Sequence, residues 1–210
     1  MENSNQRWSI ALLIEILFTV FFTGFFPESW HQDIYLSMYV LMYFTAVVNL
    51  EQHKKLMIWL AVVSLVFTGL TRIWHNPIIE TISVTLDVAF FTFIVISLIR
   101  QIARAKSVTP HVLLEAINAY LLLGIVFTFL VGLTVRLDPH SYNFSSGTIK
   151  PHDFMYHGFI TLTTTGYGDF IPLKPWSQSL SILIATSGQL YVAIIIALLV
   201  GKFSAQSDNE

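Results

Sequence analysis

A short stretch in the last third of the chain combines residue types that can bind a dehydrated cation. Residues 164–169 read Thr-Thr-Gly-Tyr-Gly-Asp. Gly166 and Gly168 lack a Cβ and can take backbone angles that are closed to other residues. Glycines that alternate with larger residues can therefore turn successive carbonyl groups to the same side of the chain. Such a column of carbonyl oxygens replaces the water shell of a weakly hydrated monovalent cation, and the Thr164 hydroxyl can add a further ligand.

The segment just before this stretch predicts a helix that enters a membrane without crossing it. Residues 151–162 are too few to cross, because a spanning helix needs about 20 mostly apolar residues. Pro151 suits the first helical position, and Asp153 suits the positive N-terminal end of a helix. A helix that dips in and returns leaves irregular backbone at membrane depth, which is tolerated only where it is buried in protein or lines water. The segment therefore indicates a pore or a substrate site.

The composition points to lipid as the surrounding solvent. The 210 residues are 54% hydrophobic and only 11% charged, whereas soluble domains have about 25% charged residues. The net charge of -2 gives no electrostatic reason to expect a nucleic-acid partner. The absence of cysteine excludes disulfides and thiolate metal sites. No nucleophile–base pair or metal-ligand cluster stands out, so we do not expect an enzyme.

Hydropathy divides the chain into six predicted membrane spans and the half-length helix. We predict an all-α membrane protein with a four-helix domain at residues 1–106 and a pore domain at residues 107–210. No small-residue cleavage site follows the first span, which we therefore expect to be retained rather than removed as a signal peptide. The predicted spans are residues 9–26, 34–50, 56–70, 78–99, 112–135 and 176–203.

The positive charges predict the orientation of the chain in a cell membrane. If the N-terminus is cytoplasmic, the inside segments carry seven Lys and Arg: Arg7, Lys54, Lys55, Arg100, Arg104, Lys106 and Lys202. The outside segments then carry four: Arg72, Arg136, Lys150 and Lys174. Cytoplasmic loops carry the excess of positive charge, so we expect both termini in the cytoplasm.

The glycine-containing stretch resembles the selectivity filter of potassium channels, which usually reads Thr-Val-Gly-Tyr-Gly. We call residues 164–168 the filter segment. The likeness covers about residues 112–203 and implies an outer helix, a re-entrant pore helix, the filter and an inner helix. It also implies which carbonyl groups coordinate K⁺: those of Thr164, Thr165, Gly166 and Tyr167. Thr165 departs from the usual Val and would place a hydroxyl behind the filter.

The same resemblance assigns expected roles to residues around the filter segment. Gly168 and Asp169 are expected at the outer mouth, and Tyr167 is expected to pack against an aromatic residue of the pore helix. Tyr156 is the best candidate for that partner, and its neighbour His157 could sense pH. Trp176 begins the last span, where simple potassium channels often carry Trp.

Gly188 lies nineteen residues after Asp169, at the position where the inner helix of the family usually has a hinge. Glycine in a membrane helix also marks close packing between helices. Both interpretations of Gly188 stay open on the sequence alone.

The fourth predicted span argues against a conventional voltage sensor. Voltage-gated channels carry several arginines in this helix, but residues 78–99 contain no Lys or Arg. The charged residues of the span are Glu80 and Asp87. An ionisable residue inside an apolar span is a functional hypothesis by default; for Asp87, and for Glu15 in the first span, we favour a structural polar contact.

The resemblance implies passive K⁺ conduction by a homotetramer in a lipid bilayer, because one chain supplies one quarter of the carbonyl cage. Regulation would come from lipid, pH, tension or a separate regulatory subunit. One alternative is a less selective monovalent cation channel with the same architecture. The other is a potassium-transport subunit, although such transporters usually carry four pore-like units in one chain, and this chain has one Gly-Tyr-Gly.

Overall fold

The computed structural model describes residues 2–50, 54–74, 76–144 and 150–207. These described residues are mainly helical and include two short strands. The α-helices among them are α1 (Glu2–Leu17), α2 (Glu28–Asn49), α3 (Lys54–Trp74), α4 (Pro77–Arg104), α5 (Pro110–Leu137), α6 (Pro151–Leu162) and α7 (Pro175–Ser207). A π-helical turn (Phe18–Phe22) and a 3₁₀ turn (Thr23–Phe25) continue α1, and the strands are β1 (Tyr142–Phe144) and β2 (Phe170–Pro172).

Five helices of the described chain are long and apolar enough to cross a membrane, as expected of an all-α multi-pass membrane protein. They are Gln6–Phe25, Lys54–Trp74, Pro77–Arg104, Pro110–Leu137 and Pro175–Ser204. The predicted span at residues 34–50 coincides, apart from its last residue, with the later part of α2. This helix has 22 residues but is not among the five. The first turns of α2 are polar and include Glu28 and Asp33. Six membrane spans are therefore not confirmed.

Proline marks the start of each of the last four helices. Pro77, Pro110, Pro151 and Pro175 are the first residues of α4, α5, α6 and α7. A proline at the first helical position loses nothing, because its missing N–H would have no partner within the helix. In α6 the carboxylate of Asp153 also accepts a hydrogen bond of 2.9 Å from the backbone N–H of Lys150. The predicted start of the half-length helix is thus confirmed.

Contacts between residues divide the chain into two compact units. Unit 1 comprises Met1–Ile58, Phe93–Leu122 and Leu190–Glu210, and unit 2 comprises Trp59–Thr92 and Leu123–Gln189.

In unit 1, α1 packs against α2 through apolar residues such as Leu12, Ile16 and Met42, all of them buried. Glu15 accepts a hydrogen bond of 2.6 Å from the hydroxyl of Thr45 on α2. A carboxylate within an apolar span needs such a donor, because an unsatisfied buried polar group is costly. Glu15 thus makes a polar contact between two helices.

In unit 2, polar side chains join α3 to α4. Ser64 donates a hydrogen bond to the carboxylate of Asp87, and the hydroxyls of Thr68 and Ser83 lie 3.0 Å apart. These pairs repeat at a spacing of four residues on both helices, so they follow one face of each helix. Asp87 therefore contributes to a polar seam between α3 and α4.

A charged contact and a ring contact connect α4 to α5 within the same unit. Arg136 near the end of α5 pairs with Glu80 in the first turn of α4. The rings of Phe91 and Phe129 stack with centroids 5.8 Å apart.

Candidate ion-conduction site

The backbone N–H groups at the start of the filter segment are turned back onto the last turn of α6. Thr165 and Gly166 both donate to the carbonyl of Ile160, at 2.8 and 3.1 Å, and Thr164 donates to the carbonyl of Thr161 at 3.0 Å. In a planar trans peptide the carbonyl points opposite to the N–H of the next residue. The carbonyl groups of Thr164 and Thr165 therefore point away from Ile160, on the free side of the filter segment.

The sign of φ alternates along the filter segment. It is positive at Thr164 (58°), Gly166 (51°) and Gly168 (80°), whereas Thr165 and Tyr167 are not among the described residues with positive φ. Positive φ therefore occurs at every second residue of the filter segment, and two of these three residues are glycines.

Thr164 was not predicted to be left-handed. A β-branched residue with positive φ is a genuine outlier, and such strain costs about 1–3 kcal/mol. No property of threonine indicates this conformation in the sequence. It is a consequence of the three N–H groups that α6 holds and of the glycines that follow. The hydroxyl of Thr164 lies 3.4 Å from the side-chain amide nitrogen of Gln189.

The Thr165 hydroxyl, which replaces the usual valine methyl group, takes part in a short hydrogen-bonded chain. The hydroxyls of Thr165 and Thr163 lie 3.0 Å apart, and Thr163 donates to the carbonyl of Phe159 at 2.8 Å. Because the proton of Thr163 is used there, Thr165 must donate to Thr163. This departure from the family pattern thus adds a link between the filter segment and α6.

Aromatic and carboxylate groups connect the far end of the filter segment to α6. The rings of Tyr156 and Tyr167 lie nearly parallel, with centroids 6.4 Å apart. The hydroxyl of Tyr156 donates to the carboxylate of Asp169 at 2.7 Å. Burial, together with this hydrogen bond, raises the pKa of Tyr156 to about 12. Tyr156 therefore remains a donor at neutral pH and holds Asp169 in place.

The backbone after Asp169 is anchored by a strand pair that was not predicted from the sequence. Strands β1 and β2 pair antiparallel, with Asn143 opposite Ile171. The backbone N–H of Leu173 and the hydroxyl of Ser177 both donate to the carbonyl of Ser141, at 2.8 and 2.7 Å. Both ends of the filter segment are therefore fixed, one by α6 and the other by this strand pair.

Gly188 of α7 lies against the C-terminal end of α6. A Cβ at this position would come within 2.0 Å of the carbonyl oxygen of Leu162, the last residue of α6. No side chain fits in that space without a backbone shift. Of the two interpretations from the sequence, close packing is the one that this contact favours.

His157 is buried on α6 beside the strand pair. Its ring lies 5.1 Å from that of Tyr142, measured between centroids, and neither ring nitrogen has a hydrogen-bond partner in the described part of the chain. Burial lowers the pKa of His157 to about 4. The ring is therefore neutral near pH 7, and the suggestion that it senses pH would apply only in acid.

A single chain leaves the filter segment uncovered. Residues 163–168 are all exposed, and Tyr167 has 71% of its surface accessible. Large apolar side chains of α7 are exposed as well, among them Ile182, Ile194, Val200 and Phe203. Lipid can cover apolar side chains, but it offers no hydrogen-bonding or ionic partner to a row of carbonyl groups. The filter segment is therefore left exposed by the packing of one copy of the chain.

Residues 116–205 match the model of a protein family described as "Ion channel". The matched segment begins in α5, includes α6 and the filter segment, and ends in α7; α1 to α4 lie outside it. No curated protein and no solved structure matches the chain. The part of the chain that carries the candidate site is thus similar to ion channels, whose function is the passive conduction of ions.

Proposed function

We propose that the chain is one subunit of a homotetrameric potassium channel that conducts K⁺ passively through the filter segment. The alternating φ signs at residues 164–168 are the observation that carries this proposal. They support a row of carbonyl groups on one side of a single strand, while α6 holds N–H groups on the other side. Carbonyl oxygens in this arrangement can replace the hydration shell of K⁺.

The homotetramer follows from the number of ligands that a dehydrated cation needs. One strand supplies oxygens from one side only, so K⁺ would keep its water on the others. Four strands around a shared axis enclose the ion in the filters of potassium channels. The exposed filter segment and the exposed apolar residues of α7 are surfaces that such an assembly would cover.

The residues of the filter segment and its outer end have distinct roles in such a channel. The ligands of K⁺ are the carbonyl oxygens of Thr164, Thr165, Gly166 and Tyr167. Gly168 and Asp169 form the outer mouth, and Tyr156 positions Asp169 through its hydrogen bond. The negative C-terminal end of α6 favours a cation next to it. We place both termini in the cytoplasm, with a four-helix domain at residues 1–106 and the pore domain at residues 107–210.

Reversal potentials in planar bilayers test the proposal. Purified protein is reconstituted with K⁺ on one side and Na⁺ on the other, and each tenfold preference for K⁺ displaces the reversal potential by about 59 mV. We expect a displacement of about 100 mV or more. A current that reverses near zero would indicate the less selective cation channel. No K⁺ current at all would refute the proposal.

A matched pair of glycine substitutions links the current to the filter segment. The methyl group that Gly166→Ala adds meets no atom within 4 Å, so it causes no clash. Because φ at this position is 51°, the substitution instead strains the backbone by about 1–2 kcal/mol per chain. We expect at least a tenfold loss of K⁺ current with unchanged assembly. Gly69→Ala on α3 also meets nothing within 4 Å and has no positive φ, and it should conduct like wild type. Equal K⁺ currents from both variants would show that the filter segment takes no part in conduction.

A further inference from the structure

Three consecutive threonines, Thr163, Thr164 and Thr165, precede Gly166. The third of them departs from the filter of potassium channels, which usually has valine at this position. Threonine and valine are both branched at Cβ and differ in one group, a hydroxyl in place of a methyl. The contacts of the Thr165 hydroxyl therefore show what this chain has in addition to the usual filter.

The middle threonine is held in an unfavourable conformation. The φ of Thr164 is 58°, and a β-branched residue in this left-handed region is strained. Both of its neighbours are bound to α6 through the backbone. The N–H of Thr163 donates to the carbonyl of Phe159 at 2.9 Å, and the N–H of Thr165 donates to that of Ile160 at 2.8 Å. The contacts with α6 therefore offset the strain at Thr164.

The hydroxyl groups on either side of Thr164 add a second connection between these neighbours. The hydroxyl oxygens of Thr163 and Thr165 lie 3.0 Å apart, and the Thr163 hydroxyl donates to the carbonyl of Phe159 at 2.8 Å. A hydroxyl can donate and accept, so valine at either position removes the hydrogen bond between the two side chains. Thr165 is thus held on α6 by its side chain as well as by its N–H.

A bound cation and this hydrogen bond stabilise the same arrangement of the filter segment. The carbonyl groups of Thr164 and Thr165 point away from Ile160. Neighbouring carbonyl oxygens repel each other because each carries a partial negative charge, and K⁺ between them removes that repulsion. The hydrogen bond holds the backbone whether or not K⁺ is bound. Since a ligand binds more weakly when less of the protein is in the binding-competent state, losing the hydrogen bond should weaken K⁺ binding.

We infer that Thr163 and Thr165 are positioning residues whose side chains keep the filter segment in its ion-binding arrangement when little K⁺ is present. The inference rests on the proposed function. The two hydroxyls are not proposed ligands of K⁺; they act through the backbone of Thr164 and Thr165, whose carbonyl groups are. A filter with valine lacks this hydrogen bond and depends more on bound K⁺. The chain should therefore keep its filter ordered at a lower K⁺ concentration than a valine variant.

Thermal unfolding in detergent tests the inference, with K⁺ replaced stepwise by Na⁺ at constant ionic strength. The rise of Tm with K⁺ concentration gives the apparent Kd of K⁺ for the native state. We expect this Kd to be at least about fivefold higher in Thr165→Val, the factor for the loss of one hydrogen bond. Thr165→Ser keeps the hydroxyl and should lie near wild type. Thr134→Val is the control, because it removes a hydroxyl that donates to the carbonyl of Leu130 on its own helix, and it should leave the Kd unchanged.

A double variant shows whether the two hydroxyls act as a pair. Thr163→Val removes the same hydrogen bond from its other side, so adding Thr165→Val should raise the apparent Kd no further, because residues in contact are energetically coupled. An apparent Kd of Thr165→Val equal to that of wild type would overturn the inference. A Tm lowered by the same amount at every K⁺ concentration would overturn it too, since that result is expected of a hydroxyl that only stabilises the fold.

Bilayer currents from the same proteins separate this inference from the proposed function. If wild type carries K⁺ current but its Tm does not depend on K⁺, or depends on it as in Thr165→Val, the positioning role fails and the proposed function stands. If the Tm depends on K⁺ and on Thr165 but no current flows, conduction is refuted and the positioning role in K⁺ binding stands. If wild type shows neither current nor a K⁺-dependent Tm, both fail.

Discussion

The substitution Gly188→Ala tests how closely α7 approaches α6. The added methyl carbon would lie 2.0 Å from the carbonyl oxygen of Leu162 and 3.0 Å from its carbonyl carbon. Carbon and oxygen atoms in contact are about 3.3 Å apart or more, so the two backbones must separate by about 1.3 Å. The obstacle is a backbone atom, which cannot rotate away as a side chain can. The shift would reach the filter segment, because Leu162 ends the helix that holds it.

The expected free-energy change is a balance of two terms. Overpacking of a tight site costs about 1–3 kcal/mol, and a rigid backbone contact places Gly188→Ala at the upper end. Alanine within a helix gains about 1 kcal/mol over glycine. The net destabilisation is therefore about 2 kcal/mol per chain, which corresponds to a Tm lowered by about 4–8 °C.

The assay is thermal unfolding in detergent, combined with size-exclusion chromatography and bilayer conductance. Gly201→Ala on the same helix is the matched control, because a Cβ there meets nothing within 4 Å, and it should be as stable as wild type or slightly more. The hinge interpretation predicts a different result: Gly188→Ala would stiffen α7 and reduce opening without loss of stability. A Tm of Gly188→Ala equal to or above that of wild type would refute the packing argument.

Three further predictions follow from the same structure. Gly124→Ala brings a methyl group within 2.4 Å of the Phe159 ring and should cost about 1–3 kcal/mol of stability. The double variant with Phe159→Leu should regain part of this stability in thermal unfolding. If the double variant regains none, the proposed contact is contradicted. Tyr156→Phe removes the hydrogen bond to Asp169 and should cost about 1–2 kcal/mol. The pKa of Tyr156 is raised to about 12, so wild type keeps the stability from this hydrogen bond below about pH 10 and loses it as pH rises towards 12. The stabilities of wild type and Tyr156→Phe should therefore converge near pH 12. A difference in stability that stays constant with pH would argue against the hydrogen bond. Conductance–voltage curves should show less than about one elementary gating charge, because residues 78–99 contain no Lys or Arg, and a curve that requires several charges would refute this.

Features that depend on neighbouring residues could be predicted from the sequence. The start of α6 followed from Pro151 and Asp153, because both act within the first turn of their own helix. The missing Cβ of Gly166 and Gly168 allows backbone angles closed to other residues, and both glycines have positive φ. Long apolar segments indicated five of the spans, since hydropathy is a local sum. The span predicted at residues 34–50 is not confirmed, because its apolar segment is continuous with a polar helical start in α2.

Other features arise only when distant parts of the chain meet. The left-handed conformation of Thr164 depends on where α6 places its carbonyl groups, and the pairing of Asn143 with Ile171 depends on β1 and β2 meeting. The contact of Gly188 with Leu162 and that of His111 with Ser9 join separate helices. Periodicity and residue type predict which face of a helix is apolar. They do not predict which helix packs on that face or how close the two helices come. The residues of the candidate site were therefore determined by the sequence, whereas their supports and distances were decided by tertiary packing.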